Sequence, residues 1–207
     1  MKVLVACENS GVVREAFNAF SGVHAISCDI LPCTDGRPDH HFQGDVCEIL
    51  DEGWDLMIAH PSCQYLSVSG MHWTKRGLRD PKLTEDALDF VRLLMAAPIP
   101  RIAIENPVGV ISTRIKPASQ YIQPFDFGDD ASKKTGLWLK GLPNLTPTRR
   151  VAGRIVEWPK GSGKMVERWA NQTDSGQNRL GPSEGRWAAR ARTYPGIASA
   201  MAKQWWC

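Results

Sequence analysis

The chain has 207 residues, of which 43% are hydrophobic and 23% charged, and a net charge of +3. That length suits one domain, and the mix excludes global disorder. No apolar run approaches the ~18 residues of a membrane span, and the apolar start is too short for a secretory leader, so a soluble, cytoplasmic protein is expected.

The six cysteines are Cys7, Cys28, Cys33, Cys47, Cys63 and Cys207, and no two form a Cys-x-x-Cys pair. Neither a disulfide framework nor a zinc ribbon is suggested. The nearest metal-like group, Cys28, Cys33, His40 and His41, has no zinc-site spacing, so no metal is expected. The charge is unevenly spread. Residues 1–128 carry 11 Lys/Arg and 16 Asp/Glu, a net −5, whereas residues 129–207 carry 14 and 6, a net +8. A basic part following an acidic one fits a polyanionic partner, or simply an unevenly charged surface.

Residues 2–7 form a short Val/Leu-rich strand ending at the turn Glu8-Asn9-Ser10-Gly11. Residues 12–20 then repeat apolar side chains at helical spacing. A second strand spans 24–28 and ends at Asp29. Residues 32–38 are loop, 41–47 a short strand or turn around Gly44-Asp45, and 54–59 a strong strand closed by His60-Pro61. Asp80-Pro81 opens a helix, with Asp as cap and Pro at the first position, and Leu83, Ala87, Val91 and Leu94 form its apolar stripe. Residues 101–104 are a strand ending in Glu105-Asn106-Pro107. Strands alternating with helices predict an α/β fold, a mostly parallel sheet with helices on both faces. Its polar residues gather where such sheets bind ligands, at the carboxyl ends of strands.

Beyond residue 120 the texture changes. Residues 121–127 and 135–139 read as antiparallel strands, 141–185 as a Pro/Gly-rich basic stretch, and 186–206 as one broken or two short helices interrupted at Tyr194-Pro195-Gly196. Trp54, Trp138 and Trp205 sit in apolar patterns and are expected in the core. Trp73, Trp158 and Trp169 lie in loop-like stretches and are candidates for stacking.

One constellation carries chemistry. A strand ends in His60-Pro61-Ser62-Cys63-Gln64-Tyr65-Leu66-Ser67, and a later strand ends in Glu105-Asn106. A cysteine on a loop near a helix start can be held partly as thiolate, and a carboxylate on a neighbouring strand end can supply a proton or hydrogen bond to what the thiolate attacks. His60 and His72 lie nearby, but loop histidines are common and neither is assigned a role.

These segments resemble the DNA cytosine-5 methyltransferases. Cys63-Gln64-x-x-Ser67 is similar to that family's Pro-Cys-Gln-x-x-Ser loop, and Glu105-Asn106 to its Glu-Asn-Val element. The resemblance implies a Rossmann-like S-adenosylmethionine-dependent fold. Cys63 would then be the nucleophile that adds to cytosine carbon-6, and Glu105 the group that hydrogen-bonds or protonates nitrogen-3. S-adenosylmethionine would be held by Glu8, Asn9, Ser10, Gly11, Asp29, Asp45 and Pro61. Gln64, Ser67, Asn106, Lys133, Lys134, Arg186, Arg190 and Arg192 would meet the substrate. Residues 179–184 (Arg-Leu-Gly-Pro-Ser-Glu) resemble the family's Arg-Leu-Thr-Pro-x-Glu segment, and residues 195–202 its final helix. The likeness is nearest to small phage and prophage members.

Departures are visible. Ser62 replaces the family proline, Pro107 replaces valine, the first turn lacks the aromatic-x-Gly-x-Gly pattern, and lysines 133 and 134 stand where arginines are expected. Lysine keeps the charge but not the planar fork. The division expected is a core at 1–139, a reduced recognition insert at 140–178, and a returning segment at 179–207. The insert has 39 residues and holds Arg149, Arg150, Arg154, Lys160, Lys164 and Arg168 among Trp158 and Trp169. Such a set suits backbone contact and stacking more than sequence readout. The expectation is therefore a monomeric enzyme methylating DNA, duplex or single-stranded, with low sequence specificity. The same chemistry on RNA or cytidine nucleotides, or a catalytically weak cofactor-binding regulator of nucleic acid, are the alternatives.

Overall fold

A computed structural model describes residues 1–181 and 192–206. Among these, the strands in chain order are β1 (Lys2–Ala6), β2 (His24–Asp29), β3 (His41–Gln43), β4 (Leu56–Ala59), β5 (Arg101–Pro107), β6 (Gln120–Ile122) and β7 (Thr135–Lys140). Across the sheet the order is β3-β2-β1-β4-β5-β7-β6. The first five strands are parallel, and β7 runs antiparallel to both β5 and β6. Two further strands, β8 (Arg154–Glu157) and β9 (Met165–Arg168), form a separate antiparallel hairpin within the basic stretch.

The helices are α1 (Val12–Asn18), α2 (Val68–Lys75), α3 (Lys82–Ala96), α4 (Ile111–Arg114) and α5 (Pro195–Trp205). Strand alternation explains how both sheet faces are covered, because successive side chains point to opposite faces. Val3 and Val5 of β1, Leu56 and Ile58 of β4 and Ala103 of β5 pack with Val13 and Phe17 of α1 and with Ile197, Met201 and Trp205 of α5. Leu4, Met57, Ile102 and Ile104 point the other way and pack with Leu88, Val91 and Leu94 of α3. Each such fully buried Val, Leu or Ile contributes roughly 1.5–3 kcal/mol, so these two layers dominate the stability of the sheet.

Four expectations need correction. Of the α3 stripe read from the sequence, Val91 and Leu94 are buried and Ala87 is half-buried, but Leu83 is exposed and Thr84 and Leu88 complete the buried face. Sheet contact rather than the densest leucine spacing selects the face. Pro81 occupies the cap position itself, and the Asp80 carboxylate accepts from the Lys82 N–H (2.8 Å). Residues 186–191, where the earlier part of the expected helical stretch falls, lie outside the described residues, and Pro195 and Gly196 are part of a helix rather than a gap before one. They begin α5, where proline's missing N–H costs nothing. Trp54, Trp138 and Trp205 are buried as expected. Trp169 is also buried, stacked on Phe125 with ring centroids 3.9 Å apart, and is not available for a base. Trp73 and Trp158 are exposed. No helix among the described residues is long and apolar enough to cross a membrane.

Candidate active site

The order of the parallel strands creates a crevice. From β1, the chain moves outward to β2 and β3 on one side and to β4 and β5 on the other. The loops that leave β1 and β4 therefore part in opposite directions, and ligands bind at such a switch point. Every parallel strand brings a polar group to this edge: Glu8 after β1, Asp29 at the end of β2, Asp45 beyond β3, His60–Cys63 after β4, and Glu105 near the end of β5.

On the β1–β3 side the first turn is tightly built. Glu8 is buried, and its carboxylate accepts from the N–H groups of Val13 (2.8 Å) and Arg14 (3.3 Å) and from the Ser10 hydroxyl (3.1 Å). It thus satisfies the free donors at the start of α1, as an acidic side chain does at a helix N-terminus. Gly11 has φ +68°, and a Cβ there would overlap the Asp35 carboxylate and the Arg14 guanidinium. The fully buried Arg14 pairs with Asp35 and donates to Ser27 Oγ (2.9 Å), and Asn9 O accepts from the Thr34 N–H (2.8 Å). Together these bonds draw the loop after β2 against the Glu8–Gly11 turn. Sequence reading missed the Arg14–Asp35 pair, since an arginine within an amphipathic helix ordinarily faces water.

Asp29 accepts from the Leu31 N–H (2.9 Å), and Asp45 accepts from the Cys47 N–H (2.9 Å). The bonds from Cys47 hold the exposed Asp45 carboxyl below the usual carboxylate range, so it is an acceptor at neutral pH. Burial pushes the thiols of Cys7 and Cys28 up to about 12, with Asp29 and Asp45 adding to the effect, so both stay protonated. Among the described residues no cluster of metal-ligating side chains is present.

On the β4–β5 side Cys63 is exposed, within a turn in which its carbonyl accepts from the Leu66 and Ser67 N–H groups. Ser67 is buried. Its hydroxyl accepts from the Gly70 N–H (3.2 Å) and so caps α2. Gln64 is exposed, and its carbonyl accepts from Arg79 (2.9 Å). The loop is tied to the segment after β5. Val68 N–H donates to Val108 O (3.1 Å), Val110 N–H donates to Leu66 O (2.8 Å), and Ser67 pairs with Gly109. Asn106, also buried, donates to the carbonyl of the buried Pro61 (2.7 Å), while its own Oδ1 is buried without a partner.

Two glycines permit this packing. A Cβ on Gly109 would overlap the Leu66 carbonyl, and one on Gly70 the Gln64 carbonyl. Neither glycine stands out in the sequence, because the need arises from a close approach of distant backbones.

Glu105 is largely buried at the edge, its side chain 12% exposed. Its Oε2 lies 3.2 Å from His60 Nδ1. Burial alone would raise its pKa, but the Lys133 charge, His60 and the Thr135 hydroxyl outweigh it and hold the carboxyl below the ordinary value. Glu105 is therefore ionised at neutral pH. Lys134 instead lies over the Tyr121 ring, 4.8 Å from its centre. Arg192 is exposed, and Arg186 and Arg190 lie outside the described residues.

No protein-family model matches the sequence, and a search of curated proteins finds no match. Solved structures do match. A methyltransferase of Entamoeba histolytica aligns with a TM-score of 0.51 and 16% identity over 73% of this chain and 58% of its own. A putative DNA modification methyltransferase encoded within an E. coli prophage (0.45, 14%, over 67% and 46%) and the S. pombe Dnmt2 methyltransferase (0.41, 15%, over 70% and 50%) align less well. The chain spans about half the length of these structures. Parallel order, antiparallel β7 and this likeness together place the chain in the Rossmann-like fold of the S-adenosylmethionine-dependent methyltransferases.

Proposed function

We propose that the chain methylates carbon-5 of cytosine in DNA, with Cys63 as nucleophile and Glu105 as the group that grips the base. The observation that carries this reading is an exposed cysteine on the loop after β4 and a largely buried, ionised carboxylate near the end of β5, with that loop hydrogen-bonded to Asn106 and to the segment after β5 at one sheet edge. The names of the structural neighbours agree with it: one is a DNA modification methyltransferase and the others are methyltransferases.

The residues of the crevice fit S-adenosylmethionine. Asp29 offers carboxylate oxygen to ribose hydroxyls, and ionised Asp45 offers an acceptor to the adenine amino group. Glu8 contributes indirectly, because its oxygens are occupied by α1. When bound, this cofactor supplies an activated methyl group. As a carboxylate, Glu105 accepts a hydrogen bond from the cytosine 4-amino group, which the 4-oxo group of thymine or uracil could not donate. Cys63 as thiolate adds to carbon-6, which makes carbon-5 nucleophilic, and leaves again once the carbon-5 proton is lost. A base within a duplex must first leave the stack.

The insert at 140–178 is proposed as the nucleic-acid contact of this chain, beside a core at 1–139 and the returning segment at 179–207. Exposed Trp158, Lys160 and Lys164 on the β8–β9 hairpin support stacking and phosphate contact. Arg150, Arg154 and Arg168 are engaged within the fold, with Asp126 and Glu167, with Trp169 O and Asp174, and with Asp174 O respectively. So few free cations favour low sequence specificity.

The test uses methyl-labelled S-adenosylmethionine with duplex DNA, single-stranded DNA, transfer RNA and cytidine nucleotides in parallel. Label on carbon-5 of DNA cytosine is expected. Label confined to RNA or nucleotides would move the substrate, and label on none would refute methyl transfer to cytosine.

A further inference from the structure

His60 is the residue after β4, and its N–H still donates to Ala6 O (2.9 Å), continuing the pairing with β1. Its backbone is therefore fixed at the rim of the crevice. The ring side chain is 8% exposed, and Nδ1 lies 3.2 Å from Glu105 Oε2. An ionised carboxylate can only accept, so Nδ1 carries the proton in this contact. Nε2 is buried without a hydrogen-bond partner. A buried unpaired nitrogen has a cost, and a position that keeps one has a role that leucine or phenylalanine would not fill.

Glu105 needs restraint. A glutamate side chain gives up much rotamer freedom when it is held in one position, and the cysteine it serves sits on a separate loop. Asn106 ties that loop to β5 through the backbone of Pro61, but it does nothing to orient the Glu105 carboxylate. His60, just after β4, makes a hydrogen bond to it, and Lys133, two residues before β7, adds its charge.

We propose that His60 is a positioning residue for Glu105, its Nδ1–H gripping one carboxylate oxygen and holding the group in a single orientation at the edge that carries Cys63. The catalytic consequence rests on the function proposed above, whereas the grip itself does not.

The experiment compares the full-length protein with His60→Leu, which removes the donor, and His60→Asn, whose amide nitrogen is bonded to Cγ as Nδ1 is and so restores one at the same place. The carboxyl carbon of Glu105 is titrated by nuclear magnetic resonance, with its signal assigned through Glu105→Gln. His60→Leu is expected to move the Glu105 titration to higher pH, and His60→Asn to return it toward the wild-type position. In methyl transfer, His60→Leu is expected to lower kcat roughly tenfold or more with little change in KM for DNA or cofactor, and His60→Asn to recover most of the loss. A Glu105 titration that does not move in His60→Leu overturns the proposal. So does an unchanged kcat, or a His60→Asn variant as impaired as His60→Leu. If wild type methylates no substrate, the proposed function fails, and the titration alone still decides whether His60 holds Glu105. If His60→Leu does not fold, His60→Phe replaces it, a ring of similar size with no donor, and the same outcomes apply.

Discussion

In the proposed reaction Cys63 and Glu105 divide their roles by surroundings. Cys63 is exposed, whereas Glu105 is largely buried beside the His60 imidazole and near the Lys133 charge. Cys63→Ala should lower methyl transfer at least about a thousandfold and leave cofactor and DNA affinity within a fewfold, as measured by labelled-methyl assay and titration binding. A variant that still transfers methyl would remove Cys63 from the mechanism. Glu105 also carries a stability signature. Its folded pKa is depressed below 4.5, so the stabilisation it gives is complete above that value and disappears as pH falls through the folded pKa. In urea melts, the wild-type advantage over Glu105→Gln should be constant from pH 6 to 8 and shrink progressively below about pH 4.5. An advantage that grows on acidification would reverse the sign assigned here. Trp169 belongs to this scale too. Stacked on Phe125 and donating to Val151 O (3.0 Å), it is a structural residue, and Trp169→Ala should destabilise by about 3–5 kcal/mol in thermal or chemical melts.

At the scale of elements, the decisive contact joins two loops. The chain after β4 and the chain after β5 exchange backbone hydrogen bonds across Gly109, and α2 begins against the Cys63 turn at Gly70. A methyl group at either place meets a carbonyl oxygen, and a carbonyl in packed backbone has little room to yield. Gly109→Ala is expected to cost about 1–3 kcal/mol and to lower kcat more than KM, because the strain falls on the relative placement of Cys63 and Glu105. Wild-type stability and kcat in this variant would disprove the tie between the loops. The buried face of α3 makes a related point. Leucines occur all round that helix, and only the sheet determines which of them it covers.

For the whole molecule, the strand order puts an acidic side, proposed to hold the cofactor, and a Cys/Glu side on either flank of one crevice. The basic hairpin lies outside this sheet. If it contacts phosphates, DNA affinity should fall with salt at a log–log slope of roughly −0.7 to −0.9 per phosphate engaged. Lys160→Gln with Lys164→Gln should flatten that slope by about one to two, measured by binding titrations at several salt concentrations, while cofactor affinity is unchanged. An unaltered slope would place the nucleic acid elsewhere.

The sequence by itself determined the α/β alternation, most strand positions and the candidacy of Cys63, Glu105, Asp29 and Asp45. These are local matters: apolar periodicity builds strands and helices, and polar residues break off at strand ends. Only the tertiary structure decided the pairing of His60 with Glu105, the burial of Arg14 and Trp169, the need for Gly70 and Gly109, and the engagement of the insert's arginines within the fold. Each of these depends on segments that are distant along the chain meeting in space. The identity of a residue shows what it can do, but its neighbours set its exposure, its charge state and what it is bonded to.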